Sequence, residues 1–225
     1  MDDKGSFDYT SEMKKYYESD EVATDYYAAY TEEGNWRHKL IANRERGAIE
    51  KMLQAVPHDT VLDIPAGTGK LAPVFGRLDS NVVACDISEN MLQIAKSEFN
   101  DAGVTDARFQ ICDAEEITET IDETFDVAVS LRLFHRVPTD VKRNILSELG
   151  SVADYVIVST AVETRFHVFR RAVRQSIFGG DERGHCYETP EVTKDIFSDG
   201  FEIISWKRVL PVLSQERVYL LEQTH

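Results

Sequence analysis

One short run combines an acid, two glycines and a hydroxyl: Val61-Leu62-Asp63-Ile64-Pro65-Ala66-Gly67-Thr68-Gly69. An apolar stretch leads into Asp63, and a tight turn follows that opens a helix. Glycines at 67 and 69 remove side chains where a backbone must approach a ligand closely. Asp63 can accept hydrogen bonds from a cationic amine or from its bound water. Asp86 ends a second apolar run twenty-three residues later. An acid at that position of an open parallel sheet points at a ribose and can bind both hydroxyls. Asp113 follows a third run, in Ile111-Cys112-Asp113-Ala114-Glu115, and can accept from the exocyclic amine of an adenine. Together the three acids match an amino-acid tail, a ribose and an adenine in turn, so the chemistry they suit is the binding of a nucleoside-type cofactor.

The elements that must carry these residues are legible from hydropathy. Strands are expected at 60–64, 81–85, 107–112, 125–131 and 155–160, with helices near 38–55, 69–78, 89–100 and 139–150. Pro57 stops the first helix, and Ser88 suits the N-cap of the third. Near-continuous apolar strands separated by helices indicate a parallel sheet covered on both faces. Two further strands, 201–207 and 216–221, follow each other without a helix and read as an antiparallel hairpin.

Two rival loops share part of the glycine pattern. A phosphate-binding loop needs G-x-x-x-x-G-K-[ST]. Gly69-Lys70 is present, but Ile64 and Leu71 occupy the positions of the first glycine and the hydroxyl. The dinucleotide pattern G-x-G-x-x-G/A is met by Gly67, Gly69 and Ala72. Against it stands Asp63, which would repel a pyrophosphate, together with Asp113 at the adenine position.

VLDIPAGTG, VVACDISENMLQIAK, ICDAEEI and FDVAVSLRLFHRVP closely resemble the successive motifs of class I S-adenosylmethionine methyltransferases, in particular the branch whose loop reads LDIPxGTG. The resemblance covers residues 40–160. It implies a Rossmann-like α/β sandwich with a seven-stranded, mostly parallel sheet and an antiparallel C-terminal hairpin. It implies S-adenosylmethionine as cofactor, held by Asp63, Ala66, Gly67, Thr68, Gly69, Asp86, Ile87, Met91, Asp113, Ala114, Glu115 and Leu131. The broader family pattern has a glycine where Pro65 stands, and proline's fixed φ is compatible with many turns.

Methyl transfer from a sulfonium needs alignment and exclusion of water, and a base only where the acceptor carries a proton. His135, after the fourth strand, and His185, in Gly184-His185-Cys186-Tyr187, are the candidate bases. For His135 a structural role beside the cofactor is the commoner expectation. Residues 163–187 hold Arg165, Arg170, Arg171, Arg174 and Arg183, with Phe166, Phe169, Val173 and Ile177 at helical spacing. A lid over the acceptor is expected there, with Arg165, Phe169, Arg170, Arg174 and Arg183 in contact with an anionic acceptor such as a sugar acid or a phosphate-linked glycan. The bland reading, a solvated basic face, carries comparable weight, and the same stripe suits a membrane surface bearing a lipid-linked acceptor. The resemblance adds an N-terminal helix closing over the methionine end of the cofactor. That makes Tyr27 and Arg37 cofactor candidates, and Tyr30 and Trp36 acceptor candidates.

Whole-chain properties bound the rest. The 225 residues make one domain: an N-terminal cap over 1–37, a cofactor core over 38–160, the lid over 163–187, and a helix with the hairpin over 188–225. The net charge of −15 disfavours nucleic acid as a partner. The acidic, polar N-terminus and the three cysteines without CxxC spacing point to a reducing cytoplasm. No metal is expected. The expected activity is O-methylation of a small or lipid-linked molecule. N-methylation is the alternative, followed by a nicotinamide oxidoreductase and a catalytically silent cofactor-binding subunit.

Overall fold

The computed structural model describes residues 36–164, 186–210 and 214–224. The elements in chain order are α1 (Trp36–Leu53), β1 (Thr60–Asp63), α2 (Ala72–Phe75), β2 (Asn81–Asp86), α3 (Glu89–Asp101), β3 (Arg108–Ile111), α4 (Ile117–Thr120), β4 (Phe125–Ser130), α5 (Thr139–Val152), β5 (Ala153–Ala161), α6 (Pro190–Phe197), β6 (Phe201–Arg208) and β7 (Glu216–Gln223).

The sheet runs β3-β2-β1-β4-β5-β7-β6. β1 to β5 pair in parallel, while β7 pairs antiparallel with both β5 and β6. This is the expected seven-stranded Rossmann-like sheet, and the hairpin enters it through its second strand. Successive strand residues feed opposite faces. Leu62, Val83, Cys85 and Ala128 join Ile145, Leu149, Ile196 and Phe197 on one side. Val61, Val82, Ala84 and Val127 join Ile49, Met52, Leu53 and Phe99 on the other. Because both faces are covered, the central strands read as unbroken apolar runs. Crossover from β1 to β4 leaves a crevice at the carboxyl ends of the strands, where ligands bind in open α/β sheets.

One expected helix is much shorter than its pattern. Only Ala72–Phe75 is helical within 69–78, because Gly67 and Gly69 take left-handed φ values of 54° and 77° and hold the preceding residues in turns. Gly76 then follows, and a Cβ there would lie 2.3 Å from the Ala102 carbonyl oxygen. Ser88 caps α3 as expected, accepting the Met91 amide at 3.4 Å. The short α4 was not anticipated. The N-terminal cap and the expected lid helix lie outside the described residues.

Candidate cofactor and acceptor site

The turn after β1 and the ends of β2, β3 and β4 enclose one cavity. Its wall includes Ile64, Pro65, Ala66, Gly67, Thr68, Asp86, Ile87, Met91, Asp113, Ala114, Glu115 and Leu131. Ten residues named from the sequence thus meet around one space: Ala66, Gly67, Thr68, Asp86, Ile87, Met91, Asp113, Ala114, Glu115 and Leu131.

Asp86 organises the turn. One carboxylate oxygen accepts the Gly67 amide at 2.8 Å and the other accepts the Ser88 amide at 2.9 Å. These bonds favour the charged form, but burial outweighs them and raises the pKa above the ordinary carboxylate value. Each oxygen keeps a further lone pair for a donor in the cavity. Asp113 Oδ1 accepts the Glu115 amide at 3.1 Å, which fixes the loop after β3. Asp63 lies under the turn, wholly buried, and neither carboxylate oxygen has a hydrogen-bond partner among the described residues. Burial first, and the neighbouring Asp86 second, push its pKa well above the ordinary range. A buried acid with two open acceptors and an acid beside it suits an incoming cation.

The two glycines serve different purposes. A Cβ at Gly67 would meet nothing within 4 Å, so its left-handed φ of 54° is what demands glycine there. A Cβ at Gly69 would lie 3.0 Å from Ala95 Cα and 3.1 Å from Glu98 Cβ, so this glycine lets the turn pack on α3. Gly69 is not part of the cavity wall. The Ile64–Pro65 peptide is cis, and Pro65 lines the cavity.

Other wall residues were not named from the sequence: Lys70, Cys112, Arg132, Leu133, Arg136 and Ile145. Arg132 and Arg136 lie within the fourth quoted motif, and Lys70 figured only in the rejected phosphate loop. A basic residue beside a motif was the available signal, but sequence does not show which way it points. Arg132 takes a left-handed φ of 61° and pairs with Glu45 of α1 at 2.6 Å; Glu45 also accepts the Ser159 hydroxyl. Burial, and then the cations Arg77 and Arg132, lower the pKa of the neighbouring Arg46.

His135 is buried, and its neighbours Leu133 and Arg136, not its own ring, face the cavity. Its carbonyl accepts the Cys186 amide at 2.9 Å. A second latch holds the same segment. Lys142 is buried and donates to the Cys186 carbonyl at 2.8 Å and to Glu188 at 2.9 Å; Thr139 donates to the same Glu188 oxygen at 2.6 Å. The Glu163 amide donates to the Glu188 carbonyl at 2.8 Å. Residues 163 and 188 are therefore joined beside the loop that follows β4. Tyr27, Tyr30, Arg165, Phe169, Arg170, Arg174, Arg183 and His185 lie outside the described residues, as do the side chains of Trp36 and Arg37.

Comparison with known proteins agrees with this geometry. Residues 61–154 match the family described as "Methyltransferase domain". The magnesium protoporphyrin IX methyltransferase of Synechocystis with bound SAH superposes with a TM-score of 0.79 at 19% identity, covering 96% of this chain and 100% of that one. Its SAM-bound form gives 0.74 at 18% identity, covering 98% and 99%. The fold is therefore the one shared by these SAH- and SAM-bound methyltransferases, and residues 61–154 resemble a methyltransferase domain. Among curated proteins, the ubiquinone biosynthesis O-methyltransferase of Hydrogenovibrio crunogenus is 28% identical over 45% of this chain and 41% of its own length. The human mitochondrial enzyme of the same name is 32% identical over 34% and 21%. The matched segment spans less than half the length of these relatives.

Proposed function

We propose that the protein transfers the methyl group of S-adenosylmethionine to an oxygen of a small, anionic molecule such as a sugar acid. The observation that carries the donor half is Asp63, a buried carboxylate with no hydrogen-bond partner among the described residues, lying under a turn that Asp86 ties together. An ammonium group of the methionine tail fits that acid. The ribose hydroxyls fit the open lone pairs of Asp86, and the adenine amine fits Asp113. The curated relatives, both O-methyltransferases by name, support oxygen as the acceptor atom.

The cofactor supplies an electrophilic methyl on a sulfonium. The chain's part is to bind and orient both partners and to exclude water. Leu131, Leu133 and Ile145 give the cavity the apolar wall that this requires. A carboxylate acceptor is already a nucleophile and needs no base. That fits a cavity whose wall contains Arg136 where a histidine base was expected. Residues 163–187 remain our proposed lid, with Arg165, Phe169, Arg170, Arg174, Arg183 and His185 toward the acceptor. No helix among the described residues is long and apolar enough to cross a membrane.

Calorimetric titration with S-adenosylmethionine and S-adenosylhomocysteine, with NAD and NADP as controls, tests the donor. Micromolar binding of the sulfur nucleosides alone is expected. Binding of NAD, with no response to either sulfur nucleoside, would make the turn a dinucleotide site.

A further inference from the structure

The two outermost strands carry a cluster of their own. In the β6–β7 ladder Arg208 lies directly opposite Arg217, and Trp206 directly opposite Tyr219. Side chains alternate along β7, with Tyr219 on one face and Val218 on the other. The two guanidiniums, the phenol and the indole therefore share a face. Directly opposed side chains stand about 5 Å apart at Cβ, and like charges there are destabilising. The guanidinium carbons of Arg208 and Arg217 lie 6.0 Å and 4.9 Å from the centre of the Trp206 ring, which offsets part of that repulsion. Among the described residues, no carboxylate pairs with either arginine. Arg217 is only 8% exposed, and it donates to the Tyr219 hydroxyl at 3.4 Å. Burial raises the Tyr219 pKa against the opposing pull of Arg217 and then Arg208, so the phenol keeps its proton as a donor. Trp206 is 47% exposed and gives the cluster an open, apolar side. A buried charge without a counter-ion, set against a second like charge, is costly, and an oxyanion placed between them removes that cost.

We propose that Arg208, Arg217 and Tyr219 form a carboxylate-binding site, with Trp206 as the platform for the ring that carries the carboxylate. Paired guanidiniums match the two oxygens of one carboxylate, and the phenol adds a further donor. The indole face takes either an aromatic ring or the apolar face of a sugar ring. None of the four residues lines the cofactor cavity, so the site stands independently of the methyl-donor reading. Arg217 lies opposite Thr160 at the carboxyl end of β5, which puts the site on the same edge of the sheet as that cavity.

The chain has two tryptophans, Trp36 and Trp206, so a Trp36→Phe background leaves Trp206 as the fluorescent reporter. This protein is titrated with benzoate and glucuronate, with their neutral counterparts benzamide and glucose, and with inorganic phosphate. The expected result is a saturable change with at least one ring carboxylate, its neutral counterpart binding at least tenfold more weakly. The tighter of the two carboxylates names the kind of ring. Adding Arg208→Gln should weaken that binding tenfold or more, while S-adenosylhomocysteine affinity, read by calorimetry, stays within twofold. Arg208 is exposed, so this variant remains informative where Arg217→Gln, at a buried position, fails to fold. No saturable response to either ring carboxylate overturns the site. So does a neutral counterpart that binds equally well, or full affinity in the folded Arg208→Gln protein. Phosphate bound as tightly as the ring carboxylate removes Trp206 from the site and overturns the proposal as well.

Discussion

Asp63 lies at the carboxyl end of β1 with both oxygens buried and no donor in reach among the described residues. Its folded-state pKa is raised, by burial and then by Asp86, so the native protein keeps a proton there after the unfolded chain has lost its own. The stability that this protonated group contributes is present below the unfolded pKa and is lost as pH rises through the folded value. Asp63→Asn keeps the shape without the charge. It should melt higher than wild type at neutral pH, by about 2–4 °C for each 1 kcal/mol gained, with the gap closing toward acid pH. Thermal melts of the two proteins from pH 4 to 8 measure this, and a gap independent of pH would show that folding does not raise the pKa of Asp63. The same variant should bind S-adenosylhomocysteine more weakly, a stability gain at the cost of function. Asp86→Ala should weaken that ligand by tenfold or more, since a charged hydrogen bond contributes about 1.5–3 kcal/mol. Part of the loss would come from releasing the Gly67 amide it now holds at 2.8 Å. Unchanged affinity in a folded Asp86→Ala protein would take this acid out of the site. Both aspartates were legible in the sequence because each ends an apolar run, Asp63 just before the glycine turn and Asp86 just before a capped helix. That Asp63 would have no internal partner was not legible, since partners are set by the packed neighbours.

At the scale of elements, Glu45 ties three of them together. From α1 it pairs with Arg132 after β4 and accepts the Ser159 hydroxyl from β5. Leu40, Ile41, Ile49, Met52 and Leu53 recur at helical spacing along α1, and nothing in that spacing singles out Glu45. A glutamate in a helix is ordinarily solvated, and only the approach of β4 and β5 places this one inside. Removing one member of a buried pair leaves the other charge uncompensated. Glu45→Ala should therefore lower unfolding stability by about 3–5 kcal/mol, read as a shift in the urea midpoint. A loss within the range of a surface pair, under about 1 kcal/mol, would mean that Arg132 finds water. The shortened α2 belongs to this scale as well. Hydropathy over 69–78 fits a helix, but the left-handed glycines and the contact of Gly76 with the Ala102 carbonyl restrict it to Ala72–Phe75.

For the whole molecule, the site is a seam between two packed faces, with walls drawn from β1, β2, β3 and β4 ends that are far apart in sequence. Ligand that binds only the folded chain stabilises all of it at once. S-adenosylhomocysteine at one hundred times its Kd should add about 2.7 kcal/mol. In a chain of this size that corresponds to a melting temperature higher by roughly 5–10 °C. NAD at the same concentration should add nothing. An equal shift with both ligands would contradict the nucleoside selectivity claimed for the site. The charge of −15 acts at this scale too, since it opposes association with other polyanions wherever the cavity's cations lie.

Local pattern was enough for the fold class, the order of strands and helices, the terminal hairpin and the cavity acids Asp86 and Asp113. Apolar periodicity, turn glycines and strand-end acids depend on neighbours close in the chain. Direction and burial depend on neighbours far away. Only the packed sheet put Gly69 against α3, left His135 buried and off the cavity wall, paired Glu45 with Arg132, and brought Lys70 and Arg136 to the wall of the same space. A side chain's surroundings are set by contacts distant along the chain, such as the 87 residues between Glu45 and Arg132, and hydropathy along one strand does not encode them.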